Sequence, residues 1–246
     1  MKTLSITFIA IALLLSACKK DSSGNTHGTY LLSRATYTLS ETNGSTISLV
    51  DVYTYDDKNR VTAVNSQFAA LNVKYTYNSD NQVSTAQWSY LGGGPDHTTT
   101  YTYSGNTVTG VSVFVAAYVT ATRVYTLNSK EQIQSFADNQ GSSSYTYDNN
   151  GNIADFVDNA KIHNTYTYDN KKNPLSMIGA QNIDLVYFVN NGRPETNVNN
   201  PLTSESGVTT YTYTYNTAGF PVTAHVLSSS PYIPSNYTVA YEYINK

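Results

Sequence analysis

The feature that most constrains the fold of this chain is a repeated Tyr-Thr-Tyr triplet. Complete or degenerate copies begin at Tyr53, Tyr75, Tyr101, Tyr125, Tyr145, Tyr166, Tyr187, Tyr213 and Tyr241. They recur every 20 to 28 residues, and Tyr37 begins an earlier partial copy. A near-constant period of this length is typical of a repeat architecture, in which each unit folds into the same supersecondary structure.

Each triplet leads into residues that favour a tight turn. Tyr147, for example, is followed by Asp-Asn-Asn-Gly-Asn and then by the apolar Ile153. Asp or Asn opens a turn by bonding its own backbone, and Gly or Asn three residues later accepts a positive φ. Before the turn, Tyr and Thr alternate with the period of a strand, which makes one face aromatic and the other hydroxylated. Each unit is therefore predicted to be a β-hairpin with a loop of four or five residues.

The number of units predicts the architecture. A period near 22 residues fits two strands of about seven residues and two short connections, and no segment has a sustained helical period. About eight units therefore predict an all-β fold, an antiparallel hairpin meander of roughly sixteen strands. Open sheets rarely exceed about ten strands without curling, so we expect a flattened barrel or a spiral sheet. A transmembrane pore is the alternative, which the hydroxylated second face and the Asn-rich turns disfavour.

The repeat resembles a known family. Its pattern, Tyr-x-Tyr-Asp-x-x-Gly-x-Ile/Val, is similar to the YD repeat of bacterial Rhs-type proteins, and residues 145–153 are the most similar copy. The resemblance covers roughly residues 50–245. In that family long arrays form a spiralling β shell that can enclose a toxin. With about eight units rather than dozens, this chain is expected to lack the shell and delivery functions. It is more similar to short lipoproteins with YD-like hairpins in Gram-negative bacteria, whose function is mostly unknown.

The N-terminal residues predict export and a lipid anchor. Residues 1–17 combine a basic start with an apolar run from Leu4 to Leu15, which is typical of a secretory signal peptide. The run is shorter than the roughly 20 residues that a membrane-spanning helix needs. The sequence Leu-Ser-Ala-Cys, which ends at Cys18, resembles a bacterial lipobox. That resemblance implies cleavage before Cys18 and attachment of lipid to its thiol.

The remaining domain boundaries follow from composition. Residues 18–28 contain the lipidated cysteine and a polar segment that predicts a flexible tether, and residues 29–246 form a single β-repeat domain. Lys19 follows the cysteine, where an Asp would resemble the inner-membrane retention signal. We therefore expect a protein lipid-anchored to the outer membrane, with a periplasmic or a surface orientation. The net charge of −3 is dispersed along the chain, which disfavours nucleic acid as a partner.

No pattern of residues predicts catalysis. Cys18 is the single cysteine, so we expect no disulfide and no thiolate metal site. The four histidines, His27, His97, His163 and His225, are not spaced as metal ligands. The recurring acids Asp56, Asp148 and Asp169 stand where the turns open, and we expect them to bond the backbone there. The sequence therefore predicts a protein with no enzyme activity, no cofactor and no metal site.

Two aromatic residues outside the repeat period are candidate ligand contacts. Trp88 and Tyr90 precede Gly92–Pro95, which is predicted to be a long hairpin loop. Such rings stack on sugars and cations, although Trp88 would equally serve to cover the sheet. The leading hypothesis is an outer-membrane or cell-surface lipoprotein that binds a glycan or protein partner, or acts as a scaffold, without catalysis. The alternatives are a periplasm-facing lipoprotein that helps an envelope complex to assemble, and a hydrolase with an unrecognised site.

Overall fold

A computed structural model describes residues 29–40, 44–90, 97–114, 119–176, 197–230 and 235–246. The predictions for Cys18, the tether, Gly92–Pro95 and the triplet at Tyr187 lie outside these residues. The strands are β1 (Tyr30–Ser40), β2 (Thr46–Tyr55), β3 (Val61–Ser66), β4 (Leu71–Tyr77), β5 (Val83–Tyr90), β6 (His97–Ser104), β7 (Thr107–Phe114), β8 (Val119–Leu127), β9 (Ile133–Asp138), β10 (Gly141–Tyr147), β11 (Ile153–Val157), β12 (His163–Thr165), β13 (Thr167–Lys172), β14 (Asn199–Ser204), β15 (Thr209–Tyr215), β16 (Pro221–Ser228) and β17 (Asn236–Asn245). A short 3₁₀ helix, Glu205–Gly207, connects β14 to β15.

The strands form one antiparallel meander that closes on itself. Strands that are neighbours in sequence pair with each other, and β1 also pairs with β17, with Ala35 opposite Tyr241. Strands β12 and β13 follow one another in line, separated by Tyr166 alone. Counted as one interrupted strand, they make sixteen, so the predicted antiparallel meander of roughly sixteen strands is confirmed. Pairing between the first and last strands makes the sheet a nearly closed barrel.

The turns have the predicted chemistry. The Oδ1 atom of Asp56 accepts hydrogen bonds from the backbone N–H groups of Lys58 and Arg60, both at 2.9 Å. Asn59, three residues after Asp56, has a φ of 62°. The same acceptor role is played by Asn78, Asn128, Asp148 and Asn216. The side chain that opens each turn therefore fixes its shape, as the sequence predicts.

A β-bulge follows each of these turns on the returning strand. Thr54 lies opposite Ala63, whereas Tyr55 lies opposite Val61, so Thr62 is the extra residue. The same shift occurs at Tyr77, Leu127, Tyr147 and Tyr215. A bulge bends its strand and increases the local twist, which a sheet needs in order to close into a barrel. The repeat therefore encodes curvature as well as hairpins.

The side chains of each triplet are divided between the two faces of the sheet. The first tyrosines of six triplets are buried inside the barrel at 1 to 8% exposure: Tyr53, Tyr75, Tyr101, Tyr125, Tyr145 and Tyr166. The central threonines Thr54, Thr76, Thr102, Thr146 and Thr214 are exposed on the outer wall. The interior is therefore mainly aromatic and aliphatic, and hydroxyl groups cover much of the outside.

Candidate ligand sites inside the barrel and at its rim

The second tyrosine of the triplet has a structural task. The hydroxyl of Tyr147 donates a hydrogen bond of 2.7 Å to the carbonyl of Ile133, the first residue of a strand in the preceding unit. Equivalent bonds join Tyr55 to Leu32, Tyr77 to Val61, Tyr103 to Val83, Tyr168 to Ile153 and Tyr243 to Pro221. Burial raises the pKa of the hydroxyls of Tyr55, Tyr147 and Tyr243. These tyrosines connect neighbouring units inside the barrel.

Two apolar clusters fill the interior, with a cavity between them. The larger cluster contains Trp88, Phe156 and the six buried first tyrosines, together with aliphatic side chains of β3 to β11. The smaller cluster is built on Ala35, Ala224, Val226, Tyr237 and Val239. A cavity of about 220 Å³ is lined by residues of both clusters. It also touches Phe68 in the β3–β4 connection and Leu175 after β13.

Asp51 brings a carboxylate to this cavity. It lies on β2, two residues before Tyr53, and is 6% exposed. Its Oδ1 atom accepts a 3.3 Å hydrogen bond from the backbone N–H of Phe68. Burial raises the pKa of the Asp51 carboxyl above its usual range, although hydrogen bonds from Ser66, Phe68 and Tyr37 act in the opposite direction. The described residues that line the cavity include no Lys, Arg or His.

Tyrosine rings form much of the remaining wall. The cavity is lined by Tyr37, Tyr53, Tyr211, Tyr213, Tyr237 and Tyr241. Tyr37 stacks on Phe68 with 4.3 Å between ring centroids, and the rings of Tyr211 and Tyr213 are nearly parallel at 6.3 Å. Burial, with a smaller contribution from Tyr241, raises the pKa of the Tyr213 hydroxyl. The arrangement offers aromatic faces and one carboxylate to a small guest.

The role of Asp51 was not predicted from the sequence, although a signal was present. Val50 and Val52 flank it, so the segment suggests an ordinary strand. Because side chains alternate in a strand, Asp51 shares the inward face of Tyr53 and Tyr55. An acid that alternates with the same period as the buried tyrosines, and that does not lie at a turn, is the sequence pattern that identifies Asp51.

Asparagine side chains close the barrel where β12 and β13 interrupt its pairing. The backbone N–H of Ile153 donates to Asn197 Oδ1 at 2.7 Å, and that of Asn199 donates to Asn152 Oδ1 at 2.9 Å. Asp169 was predicted to open a turn, but it lies within β13, where it accepts from the backbone N–H of Lys171. It also accepts from the Tyr215 hydroxyl. These side chains replace the backbone bonds of a regular ladder and serve the fold.

Trp88 and Tyr90 lie near each other but differ in exposure. Trp88 is 4% exposed and belongs to the larger cluster, whereas Tyr90 is 40% exposed. The ring of His97 stacks on Trp88 at 5.6 Å and on Phe114 at 4.6 Å, and the ring of Tyr90 lies 6.5 Å from it. These four residues, at the ends of β5 and β7 and the start of β6, form the rim cluster. Tyr90 is its most exposed ring, and contact with a ligand stays a prediction.

Other polar groups are dispersed. Nδ1 of His163 lies 2.7 Å from Asp155 Oδ2, with the side chain of His163 68% exposed. Within the described ranges, no group of three or more His, Cys, Asp or Glu side chains is arranged to hold a metal ion. In the same ranges, no helix has the length and hydropathy of a transmembrane span.

Burial alone would raise the pKa of the turn acids Asp56 and Asp148, but their hydrogen bonds outweigh it. The side chain and backbone of Arg60 lower the pKa of Asp56, and those of Asn152 lower the pKa of Asp148. These carboxylates are held in the ionised, hydrogen-bond-accepting form that the turn uses.

Fold and sites together define a nearly closed antiparallel β-barrel of Tyr-Thr-Tyr hairpins with an aromatic interior. Solved structures similar to it include a porin-like protein from Bacteroides vulgatus, with 14% identity, 88% of this chain and 99% of that chain covered, and a TM-score of 0.42. A porin-like protein from Bacteroides uniformis has 15% identity, 87% and 96% coverage, and a TM-score of 0.42. The Tc holotoxin pore of Photorhabdus luminescens has 12% identity, with 78% of this chain but 9% of that chain covered, and a TM-score of 0.21. No family model and no curated protein matches the sequence.

Proposed function

We propose that this protein is an outer-membrane lipoprotein, anchored through Cys18, whose barrel is a non-catalytic binding module for a glycan or protein partner. The rim cluster is the contact surface, and Tyr90 is the side chain that meets the ligand.

The rim cluster is the observation that carries this proposal. Tyr90 presents 40% of its surface to solvent beside the stacked rings of Trp88, His97 and Phe114. A tyrosine has few rotatable bonds and an amphipathic ring, so it gives contact area at a low entropic cost. Aromatic faces stack on the apolar faces of sugars and on protein side chains. Trp88, the buried member of the rim cluster, supports the more exposed rings.

The outer wall supports a tethered barrel. The inward faces of the strands are mainly aromatic and aliphatic, whereas the outward faces have Thr at the centre of most triplets, beside exposed apolar side chains such as Val111 and Val113. A membrane-inserted barrel has an apolar band outside and a polar interior. A barrel with a mainly apolar interior and a mixed outer wall suits an aqueous setting, and the acyl chains predicted on Cys18 would supply the membrane attachment.

Binding without turnover agrees with the placement of the acids. General acid–base catalysis requires a donor and an acceptor within hydrogen-bond reach of a bound substrate. Asp56 and Asp148 are engaged with the backbone of their own turns. The pair formed by His163 and Asp155 belongs to β12 and β11, with His163 largely in solvent. Neither arrangement provides a shielded site for a reaction.

The anchor is tested by labelling cells with palmitate and fractionating their membranes. We expect the wild-type chain to take up label and to stay with the outer membrane. The variant Cys18→Ser should take up none and should appear as a soluble or uncleaved precursor. Absence of label from the wild type would contradict the anchor.

The binding function is tested with the purified mature lipoprotein in detergent, against a panel of envelope and host polysaccharides and peptides. Retention and product release are scored together. We expect at least one ligand to be retained without turnover, and Tyr90→Ala to weaken retention about tenfold, which corresponds to about 1.4 kcal/mol. Thr76→Ala, an exposed change on the outer wall away from the rim, is the matched control. Turnover that one Asp or His substitution abolishes would replace the binding hypothesis with a hydrolase.

A further inference from the structure

We propose that the inner cavity is a second binding site, which takes a small organic cation with its ammonium group against Asp51 and the surrounding tyrosine rings. This site is separate from the rim cluster, and it neither requires nor follows from the rim's proposed function.

The charge balance of the cavity favours a cationic guest. Asp51 is 6% exposed, and the described lining contains no basic side chain. A buried carboxylate without a counter-charge is costly, and the cost falls when the group is paired or protonated. A cationic guest would supply the missing charge. The raised pKa of Asp51 agrees with a buried carboxylate that has hydrogen-bond donors but no cationic side chain among the described lining residues.

The aromatic wall of the cavity also favours a cationic guest. A cation over the face of a tyrosine ring is attracted by the ring's quadrupole, most strongly where water is excluded. Tyr37, Tyr211, Tyr213, Tyr237 and Tyr241 line the cavity with Asp51. Several aromatic faces and one carboxylate are the combination by which proteins recognise quaternary ammonium groups. A neutral guest of the same size would use the rings but not the carboxylate.

The volume of the cavity limits the size of the guest. The cavity measures about 220 Å³. Pockets for drug-sized ligands begin near 300 Å³, so the guest must be smaller than those ligands. Compact ammonium compounds such as choline and tetramethylammonium meet this limit, and both have the charge that Asp51 needs. Polymers and folded peptides are too large to enter.

Asp51 also has a structural contact, which a test must separate from binding. It accepts from the backbone N–H of Phe68, while the neighbouring Ala69 donates to Ser66 Oγ at 2.9 Å. An Asn at position 51 keeps an oxygen that can accept the same bond, but it has no charge. Asp51→Asn therefore keeps an acceptor for the N–H of Phe68 and removes the charge, while the donors Ser66 and Tyr37 must share a single acceptor oxygen.

The experiment uses the mature lipoprotein in detergent, titrated by calorimetry with choline, with tetramethylammonium and with dimethylbutanol, the uncharged isostere of choline. We expect saturable binding of both cations and binding of the alcohol at least about tenfold weaker. Asp51→Asn should weaken choline binding about tenfold or more. Asp148→Asn, the same change at a turn outside the cavity, should leave it unchanged, as should Tyr90→Ala at the rim.

A second variant guards against misfolding at position 51. Tyr211→Leu removes one ring from the wall and leaves Asp51 in place, and it should weaken choline binding about fivefold while the circular dichroism spectrum keeps its strand signature. Absence of saturable cation binding by the folded wild type overturns the proposal. Equal affinity for the alcohol, or an unchanged affinity in the folded Asp51→Asn variant, also overturns it. Loss of glycan or protein retention in Tyr90→Ala with choline binding intact would show that the two sites are independent.

Discussion

The barrel has two halves that are built from the same triplet and packed differently. In the packed half, β2 to β13, the first tyrosines of the triplets are at most 8% exposed and lie among Trp88 and Phe156. In the cavity half, β14 to β17 with β1, the corresponding Tyr213 and Tyr241 are only partly buried. Its smaller cluster is built mainly on Ala and Val side chains, with Tyr237, while Leu31 and Leu32 of β1 are also buried. The same motif therefore produces a filled core or a cavity, depending on the volume of the side chains around it.

The contrast extends to the acids. In the packed half, Asp148 stands in a turn where hydrogen bonds lower its pKa. Asp51 lies on β2, at the boundary between the two halves, and faces the cavity where burial raises its pKa. One carboxylate is placed where its charge is stabilised, and the other where its charge is destabilised. Sites that cost stability in this way are often retained for function.

The largest expected effect is the removal of a ring from the packed half. Tyr125 is 1% exposed, so Tyr125→Ala should leave a cavity in a filled core and lower the free energy of unfolding by about 3 to 5 kcal/mol. Tyr213→Ala, which enlarges an existing cavity, should cost no more than about half of that. Urea denaturation of both variants measures the difference. Equal losses would mean that the two halves are packed alike.

The pKa values of Asp51 and Asp148 are shifted in opposite directions, so the two acids should affect stability differently as the pH changes. Because the pKa of Asp51 is raised in the folded state, its contribution to the free energy of unfolding is most favourable below the unfolded-state pKa near 4. That contribution is lost as the pH rises through the folded-state pKa. Asp51→Asn should therefore melt at a higher temperature than the wild type at pH 7, with an advantage that shrinks toward pH 4.

Asp148→Asn is the matched comparison for that measurement. The lowered pKa of Asp148 stabilises the fold above the unfolded-state pKa, and this stabilisation is lost as the pH falls through the folded-state pKa. Asp148→Asn should therefore melt below the wild type at pH 7, and the deficit should shrink in acid. Differences of the same sign for both variants would contradict the contrast between the acids.

A smaller effect is expected from the hydroxyls that connect the units. Tyr147→Phe removes the donor to the carbonyl of Ile133 without removing the ring, and it should cost about 1 kcal/mol. Leu127 occupies the equivalent position in another unit of the packed half, so the barrel tolerates one missing bond. Thermal melts of Tyr147→Phe and Thr146→Ala, its exposed neighbour, separate the bond from the general effect of a substitution. A loss no larger than that of Thr146→Ala would show that the hydroxyl is dispensable.

The smallest effect concerns a turn of the packed half. Glu131 has a φ of 61°, in the left-handed region where the equivalent residue of another turn is Gly151. Glu131→Gly should relieve this strain and raise the free energy of unfolding by about 0.5 kcal/mol, because the flexibility of glycine offsets part of the gain. Gly151→Ala should lower the free energy of unfolding. Denaturant midpoints of the two variants provide the measurement, and a destabilised Glu131→Gly would mean that its side chain has a role in the turn.

The hairpins could be predicted from the sequence because their causes are local. An Asp or Asn that opens a turn, a residue that tolerates positive φ and a period-two strand are all visible within ten residues. The pairing of β1 with β17 and the bridge between Asn152 and Asn199 join segments far apart in the chain. The cavity brings together Ala35 of β1, Tyr213 of β15 and Tyr241 of β17, which no local pattern reveals. The inward position of Asp51 could be recognised from the alternation of side chains in its strand, but the cavity could not be recognised from the sequence.

The pairing of β1 with β17 has a consequence for how the chain reaches its folded state. Strand β1 cannot pair with its second neighbour until β17 has been synthesised. Contacts across such a sequence separation slow folding, because a long loop must close before they form. Until then β1 and β16 are exposed sheet edges that can pair with other molecules. We therefore expect the nascent barrel to depend on chaperones, and a chain without β17 to aggregate instead of forming a smaller barrel.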